Sequence, residues 1–303
     1  MKVSVVVPLY NRADRICDLY SSVFSQTHGD VELVIVDDGS SDDPQSVIRD
    51  FPDDGRLLFI SQSNAGANAA RNAGILAATG DVIAMLDSDD EFHPEHLESS
   101  LAVLKSSKED TFVYNQVNAI RGNGISVLKP ARGIYDAENV SEYLICHKGF
   151  IQTSTLVAYK SSFTRVLYDE KLPAGQDTDF AIRAASLGYT FIMKERATVD
   201  WDDEFDPLRI SSTPYPERRL KWLKSVRPIL TEKAFRADRG WHYAKALYRK
   251  STKGKICAIY YYVVALVTGS YSPRLSLEVL LQILLSKHRY HVLADFFIKY
   301  GAK

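Results

Sequence analysis

An α/β fold with a mostly parallel central sheet flanked by helices, followed by a helical C-terminal region, is what the order of segments in this 303-residue chain predicts. Three observations carry that reading. Short β-branched runs alternate with stretches of helical period through the first two hundred residues, polar clusters follow those runs, and the remainder reads as helix after helix.

Val3 to Val7, Val31 to Val36, Leu57 to Ser61 and Val82 to Leu86 are aliphatic runs bounded by turn residues, the pattern of buried strands. Between them, Ala13 to Gln26 places Ile16, Leu19, Tyr20 and Val23 at helical spacing. Gly66 to Thr79 and Pro94 to Ser106 are the next helices, with Pro94 suited to a first turn. Helical stretches are then expected at Pro216 to Phe235, bent or divided at Pro228, and at Arg239 to Lys250, Lys255 to Thr268, Leu275 to Ser286 and His288 to Tyr300. In the fourth of these, Leu277, Leu280, Leu281, Leu284 and Leu285 form a stripe expected to face a core.

With 46% hydrophobic and 25% charged residues, the composition excludes disorder and fibrous classes. Cys17, Cys146 and Cys257 are far apart, which supports neither a zinc ribbon nor a disulfide framework and favours a reducing, cytoplasmic compartment. The opening apolar run is too short for a signal-peptide core. The longest uncharged apolar run, Ile256 to Val267, also falls short of the roughly 20 residues of a membrane span.

Charge divides the chain. Residues 1–206 carry 18 basic and 33 acidic side chains, whereas residues 207–303 carry 19 basic and 5 acidic, nets of -15 and +14. The basic part also holds nine of the 17 tyrosines, with Trp222 and Trp241. Basic, aromatic helices suit an anionic membrane surface, and peripheral attachment there is the leading expectation. Packing against the acidic part and pairing of subunits into a homo-oligomer remain open, and nucleic acid is not expected as a partner. The expected domains are thus residues 1–206, α/β, and residues 207–303, a basic, aromatic-rich helical region that meets a membrane or pairs subunits.

Ligands of open α/β sheets collect at the carboxyl ends of strands. Here those ends carry Pro8-Leu9-Tyr10-Asn11, Asp37-Asp38-Gly39-Ser40 and Asp87-Ser88-Asp89-Asp90. The first strand-to-helix turn has no glycine, and no Walker A loop occurs, so a phosphate must be met by other means. Two carboxylates about 5 Å apart repel by roughly 3 kcal/mol at an effective dielectric near 20. A hard divalent ion offsets that repulsion, and oxygen-only ligands favour Mg2+ or Mn2+ completed by substrate phosphates. A bare acidic cluster can equally be a helix start, which the dipole favours.

Position and company give the cluster further meaning. VSVVVPLYNR, VIVDDGSSD, NAGANAARNAG, GDVIAMLDSDD and AGQDTDFAIRAASLGY occur in that order over about residues 3 to 190. In these motifs the chain resembles the family 2 glycosyltransferases of the GT-A fold, of the bacterial surface-polysaccharide type. The resemblance implies a metal-dependent, inverting transfer from a nucleotide diphosphate sugar, with UDP the expected nucleotide, to a hydroxyl of a glycan or lipid-linked glycan. It further implies a place on the inner face of the cytoplasmic membrane.

By the same resemblance Tyr10 stacks on the base, Asp38 accepts from uracil N3–H, and Pro8 and Asn11 line the pocket. Arg71 lies by the diphosphate, Asp87 and Ser88 by the nucleotide, and Asp89, with Asp87, on Mn2+ or Mg2+. Asp90 is expected to cap the following helix or to support the ion from behind. Asp177 is the implied catalytic base, expected to be held ionised at a helix N-terminus. Asp179 reads as that helix's capping or exposed acid.

Two departures stand out. Gln176 replaces the family's common Glu, and the segment Thr198 to Asp203 lacks the histidine that many relatives carry there, leaving Asp202 as a substitute ligand or a solvated acid. His93 reads as a surface residue. A sugar nucleotidyltransferase would require a glycine-rich first turn, which PLYNRAD does not supply. A catalytically silent nucleotide-sugar-binding scaffold tethered to the membrane is the alternative from another functional class.

Overall fold

The computed structural model describes residues 1–52, 54–122, 124–203 and 215–300. Strand β1 (Val3–Leu9) is buried along its whole length, between β2 (Val31–Asp37) and β4 (Val82–Met85), and is parallel to both. A strand enclosed in this way has no solvent face, so its sequence is an apolar run interrupted only by the buried Ser4 rather than an alternation. β3 (Leu57–Ser61) adds a further parallel strand beside β2. The helices α1 (Ile16–Phe24), α2 (Pro44–Ile48) and α3 (Ala67–Ala77) fill the crossovers, with a 3-10 turn at Ala13–Arg15 before α1. Gly74 lets α3 lie close on β1, where a Cβ would meet Val6 Cγ1 at 2.5 Å.

The seven-stranded sheet has the order β10-β6-β9-β4-β1-β2-β3, completed by β6 (Thr111–Asn115), β9 (Val157–Tyr159) and β10 (Thr190–Lys194). β9 runs antiparallel to both neighbours, and β10 pairs parallel with β6. Helices α4 (His96–Lys105), α6 (Lys160–Val166) and α7 (Gln176–Ser186) belong to this part. α4 starts at His96, so Pro94 sits in the turn before the helix rather than in its first turn. Phe112 packs against Phe163, Phe180, Tyr189 and Phe191 at centroid distances of 5.1 to 5.4 Å, the spacing of favourable ring pairs. A second sheet, unforeseen from sequence, has the order β5 (Glu91–Phe92), β11 (Val199–Asp202), β7 (Val117–Ile120), β8 (Ser126–Lys129).

The chain divides into two compact units: Met1–Ile120, Ser126–Gly133 and Ile151–Asp203 in the first, with Arg121–Ile125, Ile134–Phe150 and the described part of Glu204–Lys303 in the second. The expected boundary at 206/207 lies outside the described residues. Residues 134–150, read from sequence as part of the first domain, belong to the second unit. Helix α5 (Val140–Cys146) buries Tyr143, Leu144 and Ile145 and packs on α9 (Glu232–Asp238), where Lys233 pairs with Glu142 at 3.2 Å.

The second unit continues with α8 (Pro216–Ser225), α10 (Ala244–Tyr248), α11 (Thr252–Val267), α12 (Pro273–Leu284) and α13 (Lys287–Tyr300). Pro228 lies in a 3-10 turn between α8 and α9, dividing them as expected. Asp238 is fully buried and is held by the Arg219 guanidinium, whose Nε donates to Oδ1 at 3.0 Å. The leucine stripe of α12 is corrected by the structure: Leu275, Val279 and Ile283 face inward, whereas Leu277 is 61% exposed and Leu284 is also exposed. α12 is apolar on more than one side, and packing selects the i, i+4, i+8 row. Among the described residues, no helix is long and apolar enough to cross a membrane.

Candidate active site

The carboxyl ends of β1, β2 and β4 share one edge, and a hydrogen-bonded frame joins their loops. Asn11, at φ 50°, receives Ser41 N–H at Oδ1 (2.8 Å) and donates its own N–H to Ser40 Oγ (2.8 Å). The loop after β2 turns back at Gly39, whose φ is 78° and where a Cβ would meet Asn64 N at 2.9 Å, so a side chain is excluded. Asp37 Oδ1 accepts from Ser40 N, and Asp37 Oδ2 from Ser61 Oγ.

Asp38 is buried, and three donors reach it: Gln62 Nε2 and Ala65 N at Oδ1, and Gly66 N at Oδ2, each at 2.8 Å. A carboxylate offers about four acceptor positions, so one is left on Oδ2. Pro8 is buried within β1 against Val36, while Tyr10 at its end is 51% exposed, so its ring is available to a ligand rather than to the core.

Arg71 is the buried cation of the site. Its Nη2 lies 2.6 Å from Asp87 Oδ1, its Nη1 donates to Asn68 Oδ1 at 2.9 Å, and its guanidinium sits 5.3 Å from the Tyr168 ring centre. The same helix face carries Asn68 and Asn72. Asn68 Nδ2 donates to the carbonyls of Asp169 and Leu172, and Asn72 bonds Tyr168 through both amide atoms. These asparagines hold the loop before α7. They lie at i, i+4 within the quoted motif, and that spacing is the signal by which sequence reasoning could have found them.

Asp87 N–H donates to Ser154 Oγ at 2.9 Å, and Ser154 Oγ donates to Asp90 Oδ2 at 2.5 Å. Asp90 Oδ2 also accepts from Gln152 Nε2 (2.8 Å), and its Oδ1 accepts from Asp202 N (3.2 Å). Asp90 therefore does not cap α4, whose N-cap is Glu95 without a side-chain bond. Burial, then the charges of Asp87 and Asp89, push its carboxyl well above the usual range. Ser88 stands half-buried between Asp87 and Asp89, and Asp89 Oδ2 lies 3.4 Å from Arg12 Nη2, a residue the sequence did not single out.

Asp177 opens α7 after Gly175, whose φ is 79°. Thr153 Oγ1 donates to its Oδ1. The helix dipole does not govern its ionisation: burial, and then the charge of Asp87, push the pKa from 3.8 to about 6. Asp179 is neither a cap nor exposed, being buried and paired to Arg183 Nε at 2.7 Å.

In place of a histidine on β11, His93 reaches the strand from the loop before α4, with Nε2 3.0 Å from Asp200 Oδ1, so it is not simply a surface residue. Asp202 contributes its backbone N–H to the Asp90 cluster. Among the described residues, no three His, Cys, Asp or Glu are grouped to hold an ion. Asp87 and Asp89 are thus at most a two-carboxylate half-site, the number with which Mg2+ usually binds before substrate phosphates complete its shell.

A mainly parallel sheet with an aromatic, a buried arginine and an acidic loop at one edge is the layout of a nucleotide-sugar transferase of the GT-A class. The sequence profile described as glycosyl transferase family 2 matches residues 4–168, and the chain belongs to that family. It is a glycosyltransferase. The chain is 31% identical over 241 residues to the amylovoran biosynthesis glycosyltransferase AmsB of Erwinia amylovora, covering 76% of this chain and 79% of that one. It superposes on S. aureus TarS 1-349 in complex with UDP-GlcNAc with a TM-score of 0.68 at 17% identity, over 99% of this chain and 92% of that one. The mannosyltransferase PcManGT of Pyrobaculum calidifontis, in complex with GDP-Man and Mn2+, gives 0.59 at 17% identity, over 100% and 88%. These two likenesses establish the GT-A fold.

Proposed function

We propose that the protein transfers a sugar from a UDP-sugar, with inversion and a divalent cation, to a hydroxyl of a glycan or lipid-linked glycan in bacterial surface-polysaccharide synthesis. The observation that carries this is the convergence of Arg71, Asp87 and Asp177 from α3, the end of β4 and α7. The polysaccharide role extends from the name of the Erwinia relative, and the UDP donor from the ligand of the TarS neighbour.

In this reading Tyr10 stacks on the base while Asp38, through its remaining acceptor position, takes the uracil N3–H. An acceptor-only group discriminates against cytosine, whose N3 has no proton. Pro8 and Asn11 shape that pocket, and Ser88 lies by the ribose with Asp87. Asp89 and Asp87 would hold Mn2+ or Mg2+, which, when bound, stabilises the charge that develops on the leaving diphosphate. Arg71 faces the same charge from the protein side.

Asp177 takes the acceptor hydroxyl proton on its carboxylate, which Thr153 Oγ1 holds in place through Oδ1. The acceptor oxygen bonds to the anomeric carbon as the bond to the diphosphate breaks, and the electron pair leaves with the nucleotide. Asp177 lies in the first unit, and the basic second unit is the part that meets an anionic bilayer at the inner face of the cytoplasmic membrane.

Calorimetric titration of UDP with Mn2+ and with EDTA, repeated on Asp38→Ala and Asp89→Ala, tests the donor site. Metal-dependent binding to the parent, lost in both variants, is expected. No UDP binding by the folded protein would overturn the donor assignment. Transfer unchanged in Asp177→Asn would overturn the catalytic one.

A further inference from the structure

Helix α11 is apolar on two opposite sides. Gly254, Ala258, Tyr262 and Ala265 face inward, and Tyr262 Oη donates to the Ser276 carbonyl at 3.0 Å. On the other side Ile256, Tyr260, Val263 and Val267 recur at i, i+4, i+7 and i+11, which at 100° per residue confines them to one narrow stripe. Ile256 is 71%, Tyr260 63% and Val267 75% exposed. A helix that is apolar all round belongs in a buried setting, so this stripe lacks the cover its composition calls for. The exposed lysines Lys253 and Lys255 stand in the first turn, Lys253 at one edge of the stripe and Lys255 about a quarter turn round from the other edge.

Charge chooses the cover. A second copy seated on this stripe would bring one region of net charge +14 against another, and like charges oppose that approach. An anionic bilayer offers an apolar layer for Ile256, Tyr260 and Val267 and a negative surface for Lys253 and Lys255, with tyrosine suited to the boundary between the two. We propose that the outward stripe of α11 (Ile256, Tyr260, Val263 and Val267, with Lys253 and Lys255) is the surface by which the protein lies on an anionic lipid bilayer. The proposal deepens the membrane reading above and is independent of the donor-site assignment. The helix lies in the interface and does not span it, in keeping with its 16 residues.

The test is sedimentation of the full chain with vesicles of phosphatidylcholine alone and of phosphatidylcholine with 30 mol% phosphatidylglycerol, at low and at physiological salt. Binding to the anionic vesicles, weakened by salt, is expected. Ile256→Gln, Tyr260→Gln and Val267→Gln together lower it about tenfold or more. Lys253→Gln and Lys255→Gln lower it by roughly fivefold per lysine on anionic vesicles only. Both variants change exposed side chains and retain the parent's UDP affinity and thermal transition, which checks that they are folded.

Failure of the parent to bind anionic vesicles overturns the membrane reading together with this surface. Binding by the parent that the triple variant preserves overturns the surface alone. A dimer in sedimentation velocity that the triple variant dissociates, without vesicle binding by the parent, assigns the stripe to a second copy instead.

Discussion

Arg71 Nη2 stands 2.6 Å from Asp87 Oδ1, tying α3 to the acidic loop after β4. The guanidinium is buried and the carboxylate partly so, at side-chain exposures of 4% and 23%. The pair holds Asp87 in place while Asp89, Asp90 and Asp177 crowd the same edge.

Arg71→Ala removes the cation and leaves those acids unbalanced. Breaking one partner of a buried pair costs about 3 to 5 kcal/mol, and the partial exposure of Asp87 places this pair near the lower end. A lowered thermal transition is expected without metal, partly restored by Mn2+, because a cation offsets the same repulsion. Transfer falls further than in Arg71→Lys, which keeps the charge and loses the planar fork that reaches Asp87 and Asn68 at once. Thermal melts with and without Mn2+, read beside transfer rates, check this.

The carboxyl of Asp177 is raised to about 6 by burial and by Asp87. As a base it acts when ionised, so transfer rises with pH through about 6 and levels above it. Stability runs the other way. Between the ordinary value of 3.8 and about 6 the folded chain holds a proton that the unfolded chain has lost, so Asp177 takes stability away as pH rises through that window. Asp177→Asn is therefore expected to lose transfer yet to melt higher at pH 7.5, by an amount on the order of 2 kcal/mol. A variant that melts no higher than its parent at pH 7.5, while matching it at pH 4, would refute the assigned pKa.

Glu32 organises the opposite edge of the sheet. Its oxygens accept from Ser4 Oγ, Thr79 N and Thr79 Oγ1, each at 2.5 Å, and lie 2.5 Å from Lys2 Nζ. Burial, the largest single influence, raises its pKa, but the bonds from Lys2, Ser4 and Thr79 together outweigh it and bring the value from 4.5 down to about 2. The stability it contributes is present above its ordinary pKa and is lost as pH falls from about 4.5 to about 2. Glu32→Gln should cost about 2 to 3 kcal/mol at pH 7 and flatten the acid limb of a denaturation series, with UDP affinity unchanged.

The sequence made the first four strands and the crossover helices α1 and α3 legible, since β1, β2 and β4 are buried on both faces and so read as aliphatic runs interrupted only at Ser4 and Glu32, whereas the five-residue α2 was not foreseen. The second sheet was not legible: β11 is Val-Asp-Trp-Asp and β8 is half exposed, so neither shows an apolar run. Tyr10, Arg71, Asp87 and Asp177 fall at the positions their motifs indicate, on one edge of the fold. The partners of Asp90 were hidden because Gln152, Ser154 and Asp202 lie 62 to 112 residues away. The residues of α5 were read into the first domain for a related reason, since a short segment with Tyr143, Leu144 and Ile145 does not say which core receives it.

Ser154 joins the first and last acids of the loop, accepting from Asp87 N–H and donating to Asp90 Oδ2. Ser154→Ala leaves that backbone N–H without its acceptor and takes one donor from a buried carboxylate, each loss worth about 1 to 3 kcal/mol locally. The loop carrying Asp89 is then held less well, while the Tyr10 and Asp38 ends of the site keep their frames. Expected is a weaker apparent Mn2+ affinity in transfer, by about tenfold, with UDP affinity at saturating Mn2+ unchanged. Ser154→Thr keeps the hydroxyl and recovers most of the loss. Mn2+ titrations of the three proteins decide the matter: equal Mn2+ affinity in parent and Ser154→Ala would show that the serine does not position the acidic loop.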